Sequence, residues 1–517
     1  MKQLASYVQG EFRKGTGEAM TLVNPTTEEA LATVCSAGLD LGAALQFARD
    51  RGGPALRALT FAARGKLLAA IADSIHSRRE ELVQMAIDNG GNTRGDAKFD
   101  IDGATATLTH YAELGARLGE RFILVDGEIA ALTRNPRWVG QHVNTSRHGV
   151  AIHINAYNFP AWNAFEKAAV ALLAGMPLLT KPAEATSLVT HRIVEGLVED
   201  SVLPVGALSL VCGSAGDLLD HVQRQDVIAF TGSAATGVKI RSHARVVSES
   251  VRVSIEADSL NAAVLGPDAE EGSDTYEMFL RELAKEVTQK AGQKCTATRR
   301  VLVPRDRLAG VERDLVERFT QVAVGNPAEQ QVKMGPLATA AQLKRVQDGI
   351  ARLGGRLATG GDRGKVAGTK GYFLAPTLIV VDDARKVAAV HTEEVFGPVT
   401  TLMPYDGTSS DAGAIVRLGG GGLVASVYSD DEKFCEAMLR EIAAFTGRVY
   451  FGGEKVAEHA FGPGTVLAGL VHGGPGRAGG GEELGGERGL HHYMQRTAVQ
   501  GYKPAVERMT DSHTRTV

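Results

Sequence analysis

Residues 150–180 read VAIHINAYNFPAWNAFEKAAVALLAGMPLLT and contain two short apolar runs on either side of a helix-like stretch. The runs are Val150–Ile154 and Pro177–Thr180, and the stretch between them is Ala164–Ala174. Strand-length runs that alternate with helices of this length predict right-handed βαβ crossovers and a parallel sheet. In such a sheet, ligands bind at the carboxyl ends of the strands. The segment therefore predicts an α/β fold and directs attention to the residues that follow Ile154.

The same alternation of strands and helices continues on both sides of this segment. Upstream, apolar residues recur at three- and four-residue spacing over residues 56–88, which predicts helices. Downstream we predict strands at Leu208–Val211, Val227–Phe230 and Val251–Ile255, and helices at Leu188–Glu199, Asp217–Val222 and Thr236–Ala244. A second α/β domain is predicted from a helix at Tyr276–Ala291, a strand at Arg300–Pro304 and a helix at Arg307–Val322. The polar, β-tolerant segment Glu128–Arg147 and the tail after His492 predict a small β arm.

The overall composition excludes several classes of protein. The 517 residues carry a net charge of −4, so the chain has no basic field for nucleic acid and no polybasic membrane patch. No apolar run approaches the roughly 18 residues that a membrane span needs, and the N-terminus lacks an apolar secretory core. The four cysteines, which are Cys35, Cys212, Cys295 and Cys435, are too scattered for a disulfide framework or a CxxC metal site. We therefore expect a reduced, cytoplasmic protein without a structural metal, in which a cysteine is available as a nucleophile.

Two motifs follow predicted strands. Asn158, after the strand that ends at Ile154, can donate its amide to a developing oxyanion, although an asparagine before Phe-Pro is commonly a turn residue. In Phe230-Thr-Gly-Ser, Gly232 permits a turn, and Ser233 can cap a helix whose N-terminus faces an anion. An ordinary capped helix explains this motif equally well. Because there is no G-x-G-x-x-G fingerprint, a standard dinucleotide-binding fold is not predicted.

Two further residues could carry acid–base and nucleophilic chemistry. Glu256 ends the strand Val251–Ile255 at the rim of the sheet, where a carboxylate can act as a general base, although most such carboxylates are merely solvated. Cys295 follows the helix that ends near Ala291, and a thiol there needs a lowered pKa or an adjacent base to attack a carbonyl. A lone cysteine is more often a small buried hydrophobe. Each of these four signals is weak by itself, but their joint presence in this order makes a functional role more probable than any one of them does.

Taken together, the motifs resemble those of the aldehyde dehydrogenase superfamily, and the resemblance runs from about residue 20 to about residue 500. Seven motifs occur in family order: Asn158–Pro160, Thr180–Glu184, Phe230–Ser233, Glu256, Gly292–Thr296, Gly371–Thr377 and Glu393–Val399. The resemblance implies two α/β domains with a small β oligomerisation arm. The implied boundaries are 1–127 with 149–258 for the cofactor-binding domain, 259–490 for the catalytic domain, and 128–148 with 491–517 for the arm.

The resemblance also implies a role for individual residues. Cys295 resembles the nucleophile that forms a covalent thioester, and Glu256 resembles the base that activates the thiol or the hydrolytic water. Asn158, with the Cys295 backbone N–H, resembles the oxyanion donor. The residues that resemble cofactor contacts are Lys181 and Glu184 near the adenosine ribose, Gly232 and Ser233 near the pyrophosphate, and Glu394 and Phe396 at the nicotinamide ribose.

The chain departs from the common family pattern at two places near the predicted nucleophile. Glu256 is followed by Ala-Asp-Ser-Leu-Asn instead of the usual Leu-Gly-Gly-Lys, so the local backbone path differs. The aromatic–lysine pair that is usual after the Asn-Phe-Pro motif is replaced by Glu166-Lys167. This pair could form a proton relay that tunes Cys295, or a helix ion pair that contributes tenths of a kcal/mol. Both alternatives remain open from the sequence.

The glycine-rich stretch from His472 to Gly486 narrows the resemblance. Together with Glu256–Asn261, it is similar to semialdehyde dehydrogenases that act on coenzyme A thioesters in the phenylacetate and benzoate oxidation pathways. The similarity implies a CoA-linked semialdehyde as substrate and a homodimer or larger homo-oligomer. The glycines would shape a mouth for a long anionic substrate, where Arg477 would meet a carboxylate or phosphate. A surface arginine without that role is the alternative.

The cofactor prediction contains a conflict. A carboxylate at Glu184 can bond the ribose hydroxyls, which favours NAD by charge. The narrower group tends to use NADP, and Lys181 could offset the charge of Glu184. We expect NADP, with NAD as the alternative. Two other enzymes remain candidates, a CoA-acylating aldehyde dehydrogenase and a general aliphatic one, and a non-catalytic binding protein on a borrowed fold is a third possibility.

Overall fold

The computed structural model describes residues 1–510, which contain 22 strands and 17 α-helices. The strands are β1 (Lys2–Leu4), β2 (Ser6–Val8), β3 (Glu11–Arg13), β4 (Met20–Val23), β5 (Ala30–Val34), β6 (Leu124–Ala131), β7 (Trp138–Ser146), β8 (Ala151–Ile154), β9 (Leu178–Lys181), β10 (Leu208–Leu210), β11 (Val227–Thr231), β12 (Arg252–Glu256), β13 (Ala262–Leu265), β14 (Arg300–Pro304), β15 (Arg356–Thr359), β16 (Thr377–Val380), β17 (Val399–Tyr405), β18 (Gly422–Tyr428), β19 (Thr446–Gly452), β20 (Val471–Gly473), β21 (Glu482–Leu484) and β22 (Met494–Tyr502). The α-helices are α1 (Leu41–Phe47), α2 (Gly53–Arg57), α3 (Phe61–Ser77), α4 (Arg79–Gly90), α5 (Arg94–Leu118), α6 (Trp162–Leu173), α7 (Ser187–Glu199), α8 (Ala234–Arg241), α9 (Ala244–Ser248), α10 (Asp274–Thr288), α11 (Leu308–Thr320), α12 (Ala340–Leu353), α13 (Ala389–Thr392), α14 (Ser409–Arg417), α15 (Glu432–Ile442), α16 (Glu487–Tyr493) and α17 (Lys503–Thr510).

The first large sheet has the strand order β12-β11-β8-β9-β10-β2-β3. Its first five strands are parallel, and β2 and β3 add an antiparallel edge. The register pairs Thr231 with Glu256 and Ile154 with Lys181. Because parallel strands end at the same edge, the predicted site residues that follow β8, β9, β11 and β12 are neighbours at one rim of this sheet.

The second large sheet has the order β15-β16-β17-β14-β13-β18-β19 and is parallel except for the antiparallel edge strand β15. The α/β fold is thus confirmed, with each sheet mixed at an edge instead of wholly parallel. A separate antiparallel sheet, β22-β7-β6, forms the predicted β arm, and the last part of that predicted arm, residues 511–517, lies outside the described residues.

Most predicted elements lie within two or three residues of their predicted bounds, but three differ. The predicted helix Asp217–Val222 is only a 3₁₀ turn at Leu218–His221, because Val222 already adopts the extended backbone that leads towards β11. The predicted helix Thr236–Ala244 is two helices, α8 and α9, with His243 as an extended N-cap between them. The helix predicted to reach Ala291 ends at Thr288, where the chain begins a tight turn.

Helix α6 is the element that crosses behind the first sheet. Every residue of α6 is buried, including Glu166 and Lys167, and its small and aliphatic residues belong to the largest core cluster. A helix that is apolar nearly all round is typical of a core position between other elements. The two charged side chains are therefore held in the interior. Among residues 1–510, no helix has the combination of length and hydropathy that crossing a membrane requires.

Candidate active site

The predicted nucleophile follows a turn with unusual backbone. Lys290, Ala291 and Gly292 have φ values of 54°, 52° and 66°, in the left-handed region that non-glycine residues rarely adopt. A Cβ on Gly292 would overlap the carbonyl oxygen of Gly397, so only glycine fits there. Arg299 donates to the carbonyl oxygens of Gly292 (2.9 Å) and Gly397 (2.7 Å) and holds the turn in place. Left-handed non-glycine residues cost about 1–3 kcal/mol each and persist where the surroundings fix them, often at active sites.

Cys295, Glu256 and His472 meet beyond this turn. The Nε2 atom of His472 lies 3.9 Å from Cys295 Sγ and 3.2 Å from Glu256 Oε2. Burial and the charge of Glu256 raise the pKa of the Cys295 thiol well above its ordinary value. Burial also works to raise the pKa of Glu256, but His472 and Lys167 outweigh it and bring that pKa down to about 2. The thiol is therefore protonated next to an ionised carboxylate and an imidazole.

A buried lysine links Glu256 to two more carboxyl groups. Lys167 Nζ donates to Glu166 Oε1 (2.7 Å) and lies 3.2 Å from Glu483 Oε2, and one oxygen from each of Glu166, Glu256 and Glu483 falls within 4.8 Å of the others. Burial raises the pKa of Glu166 well above its ordinary value and also raises the pKa of Glu483. Burial works to lower the pKa of Lys167, but the three carboxylates outweigh it and raise that pKa. The alternative of a weak, solvated helix pair is wrong, because both members of the Glu166-Lys167 pair have fully buried side chains.

His472 and Glu483 are site residues that the sequence analysis did not identify. They lie on β20 and β21, an antiparallel hairpin formed by the glycine-rich stretch. The hairpin packs against the end of β12: Ala257 N donates to Ala478 O (2.9 Å), and a Cβ on Gly479 would overlap the carbonyl oxygen of Ile255. The glycines therefore permit close backbone packing beside Glu256. The run of glycines is the only sequence signal for this hairpin. It does not indicate that His472 and Glu483 are the polar residues that the hairpin places beside Glu256.

Arg477 is the residue predicted to contact the substrate. Its guanidinium donates to the carbonyl oxygens of His391 (3.4 Å) and Thr392 (2.8 Å), at the C-terminus of α13. Glu393 and Glu394 follow that helix directly. Arg477 is half-buried and fixes the backbone that leads to Glu394, and its predicted contact with a substrate stays a prediction.

A small cavity opens beside the nucleophile. Its walls are formed by aromatic and aliphatic side chains, by two glycines and by the nucleophile turn: Phe99, Gly103, Phe159, Trp162, Lys294, Cys295, Thr296, Gly464 and Val466. Asn158 immediately precedes the cavity residue Phe159, and its side chain makes no hydrogen bond within residues 1–510 while only 7% of the residue is exposed. The amide makes no hydrogen bond within the protein and can therefore donate to a ligand at this cavity.

The residues predicted to bind the cofactor form two groups. At the rim of the first sheet, Lys181 Nζ donates to Glu184 Oε1 (3.0 Å), and Gly232 N donates to Glu256 O (3.1 Å). Ser233 is the N-cap of α8 and accepts a hydrogen bond from Thr236 N (3.4 Å), and the carboxylate of Asp258 accepts one from Ala234 N (2.9 Å). Protein groups therefore already bond two of the N–H groups at the N-terminus where an anion is predicted to bind. This group is typical of a site for the phosphate and ribose end of a nucleotide.

The second group follows α13. Burial raises the pKa of Glu394 to about 7 against the opposing charge of Arg299, whose Nε lies 3.7 Å away. Within the described residues, Glu394 Oε1 is buried and accepts no hydrogen bond. Phe396 packs edge-on against Tyr157 with 6.1 Å between ring centroids, which joins this group to the first sheet. An unpaired carboxylate oxygen fits a ribose hydroxyl, so the two groups together fit a nicotinamide dinucleotide.

Comparison with known proteins identifies the family. Residues 12–499 match the aldehyde dehydrogenase family. The chain belongs to this family. It is similar to the 3,4-dehydroadipyl-CoA semialdehyde dehydrogenase of Aromatoleum evansii, with 44% identity over 92% of this chain and 93% of that protein.

Among solved structures, this aldehyde dehydrogenase is similar to lactaldehyde dehydrogenase from Escherichia coli, with a TM-score of 0.85 and 25% identity over 96% of this chain and 99% of that one. It is equally similar in sequence to an aldehyde dehydrogenase from Bacillus cereus in complex with NAD⁺, with a TM-score of 0.84 and 25% identity over 97% of both chains. The protein is thus an NAD(P)-dependent oxidoreductase that acts on aldehydes.

Proposed function

We propose that this aldehyde dehydrogenase oxidises a coenzyme A-linked semialdehyde, 3,4-dehydroadipyl-CoA semialdehyde, to the carboxylic acid in the degradation of aromatic compounds. The observation that carries the chemistry is the contact of Cys295 with Glu256 and His472 at the edge of an apolar cavity. The substrate assignment is supported by the 44% identity to the dehydrogenase of Aromatoleum evansii. The aromatic walls from Phe99 and Trp162 suit an unsaturated acyl chain.

The reaction proceeds through a covalent thioester on Cys295. The sulfur attacks the aldehyde carbon, and the side-chain amide of Asn158 donates to the oxyanion that forms. One such donor is typically worth about 10²–10³ in rate. NAD(P) held by Lys181, Glu184, Gly232, Ser233, Glu394 and Phe396 would supply the hydride acceptor that the conversion of the hemithioacetal into the thioester needs. The ionised Glu256 then orients and deprotonates the water that hydrolyses the thioester, which splits one difficult step into two easier ones.

The proposed cofactor site consists of Lys181, Glu184, Gly232 and Ser233 on one side and Glu394 and Phe396 on the other. Lys181 pairs with Glu184 at 3.0 Å and offsets the charge that would repel a 2′-phosphate. We therefore propose NADP as the preferred cofactor. The ratio of kcat/KM for NADP to that for NAD measures this preference directly.

Two features support a cytoplasmic homodimer. All four cysteines are free thiols, as in proteins of reducing compartments. The β arm exposes large apolar side chains, with Trp138 46% and Tyr502 56% accessible, as a surface that another subunit covers would. We keep 1–127 with 149–258, 259–490, and 128–148 with 491–517 as the proposed cofactor-binding, catalytic and oligomerisation domains.

The substrate proposal is tested by turnover of CoA-linked semialdehydes against simple aliphatic aldehydes, with NADP and NAD and with or without free coenzyme A. We expect the CoA-linked substrate to have the highest kcat/KM and to yield the free acid. Higher kcat/KM for a simple aldehyde would indicate a general aliphatic enzyme. A product that requires free coenzyme A would indicate the CoA-acylating alternative, which the ionised Glu256 disfavours because it supplies a base for water.

The thioester mechanism is tested by Cys295→Ala. Because removal of a covalent nucleophile typically costs on the order of 10⁶ in kcat, we expect no measurable formation of reduced cofactor. Cys435→Ala is the matched control, since Cys435 lies far along the chain on α15 and takes no part in the site. Turnover by Cys295→Ala at even a hundredth of the wild-type rate would rule the thioester out.

A further inference from the structure

The deprotonation of Cys295 has two candidate acceptors in the site. The Sγ atom, a ring nitrogen of His472 and a carboxylate oxygen of Glu256 all lie within 4.8 Å of one another. The family resemblance gives Glu256 two tasks, to activate the thiol and to activate water. A single carboxylate that performs both must receive a proton in the first task and be free of it before the second. The third group, His472, has no role in that scheme.

We propose that His472 is the catalytic base that takes the proton of Cys295, and that Glu256 holds the resulting imidazolium and is left to activate water. The S–H bond of Cys295 breaks, the electron pair stays on sulfur, and the proton forms an N–H bond at His472 Nε2. The products are a thiolate and an imidazolium, so charge and atoms balance without a further reactant. This inference rests on Cys295 as the nucleophile of the proposed function.

The geometry supports this division of roles. His472 Nε2 lies 3.9 Å from the sulfur, within hydrogen-bonding range of a thiol, and 3.2 Å from the carboxylate of Glu256. The ring is held by an edge-on contact with Trp162, whose centroid lies 5.6 Å away. Nucleophile, base and a third group that orients the base form the arrangement found where thiols and hydroxyls are activated.

Burial and the negative charge of Glu256 raise the pKa of the Cys295 thiol, so the sulfur needs a base beside it to react near neutral pH. Imidazole is the side chain that most often serves as a general base near neutral pH. The charged or titratable groups around His472 are Cys295 and Glu256, Glu483 on β21, and Glu166 and Lys167 on α6.

The test is the pH dependence of Cys295 alkylation by iodoacetamide, measured by mass spectrometry of the Cys295 peptide, with and without NADP. Because a general base typically contributes about 10²–10⁴ in rate, we expect His472→Phe and His472→Gln to react at least tenfold more slowly than wild type at pH 7. The difference should narrow as the pH rises towards the raised pKa of the thiol, where the sulfur ionises without a base. His459→Phe, a change of an exposed histidine, should leave the profile unchanged.

The variant Glu256→Gln distinguishes whether His472 or Glu256 accepts the proton of Cys295. If His472 takes the proton, Glu256→Gln slows alkylation at pH 7 less than His472→Gln does, whereas it slows thioester hydrolysis more, as seen in a burst of reduced cofactor followed by slow turnover. The proposal is overturned if His472→Gln alkylates at the wild-type rate at pH 7, or if Glu256→Gln slows alkylation more than His472→Gln. Failure of the thioester mechanism itself would appear separately, as turnover by Cys295→Ala.

Discussion

Two buried ion clusters lie near opposite edges of the first sheet and are built in opposite ways. Arg49 and Asp226 pair at the amino-terminal edge, just before β11. Asp226 Oδ1 accepts from Val150 N (2.8 Å), and Oδ2 accepts from Gln223 N (2.8 Å) and from Arg49 (2.5 Å). Arg49 also donates to the carbonyl oxygen of His221 (3.1 Å). Both carboxylate oxygens of this pair are satisfied.

The cluster around Lys167 lies at the carboxyl-terminal edge, and several of its carboxylate oxygens lack hydrogen-bond donors. Within residues 1–510, both carboxylate oxygens of Glu256, both of Glu483 and one of Glu166 accept no hydrogen bond of good geometry. Buried polar atoms are paired in most of a protein, and buried groups that are not paired concentrate at functional sites. Burial of charge alone therefore does not identify an active site. Buried polar atoms without hydrogen-bond partners beside a nucleophile are the feature that distinguishes the cluster around Lys167 from the Arg49–Asp226 pair.

The largest predicted effect compares one carboxylate from each cluster. Asp226→Asn leaves Arg49 without a counter-charge, and breaking a buried pair in this way costs about 3–5 kcal/mol of the free energy of unfolding. Glu483→Gln should change that free energy by less, because burial opposes the ionised form of Glu483 and raises its pKa, and because Glu166 still pairs with Lys167 in the variant. Denaturant unfolding of both variants measures this, and kcat/KM should fall only for Glu483→Gln. An equal loss of the free energy of unfolding in both variants would show that the two clusters stabilise the fold to the same extent, contrary to this prediction.

The next effect concerns Glu394, which also has an unpaired buried oxygen. Its pKa of about 7 in the folded protein exceeds the ordinary 4.5, so the folded state binds the proton more tightly than the unfolded state. The stability that this provides is complete below about pH 4.5 and is lost as the pH rises through about 7. Between pH 5 and 8, wild type should therefore lose about 3 kcal/mol relative to Glu394→Gln, from about 1.4 kcal/mol per pKa unit. An unchanged difference across that range would mean that Glu394 is ionised throughout.

The smallest effect concerns Glu184, whose pair with Lys181 is intermediate between the two clusters because the glutamate side chain is 33% exposed. Glu184→Gln removes a negative charge near the proposed 2′-phosphate position. We expect the ratio of kcat/KM for NADP to that for NAD to rise about tenfold, the scale of one partly screened charge. Glu199→Gln, on the outer end of α7, is the control. A ratio that does not move would place Glu184 away from the ribose.

The fold was largely predictable because it depends on local patterns. Strand-length apolar runs and the spacing of helices located β8, β9, β11, β12 and β14 within two residues. The failures have local causes that composition does not reveal. The turn at Leu218–His221 stops because the chain must extend towards β11, and α10 ends where Lys290 and Ala291 adopt left-handed backbone.

The site was only half predictable. Cys295, Glu256 and Asn158 follow recognisable motifs, whereas His472 and Glu483 reach them only through a hairpin that folds back on β12 from more than 200 residues away. A Glu-Lys pair in a sequence also does not indicate whether its side chains face water or the core. Their burial decides whether they form a weak surface ion pair or part of an interior charge cluster. Such long-range placement is a property of the packed chain.

The hairpin β20–β21 also has a consequence for biosynthesis. Both large sheets are complete once β19 has been made at Gly452, so a nascent chain can fold its nucleophile, Glu256 and cofactor groups early. His472 and Glu483 leave the ribosome afterwards. Translation therefore supplies His472 and Glu483 only after the segments that carry Cys295 and Glu256 have been made.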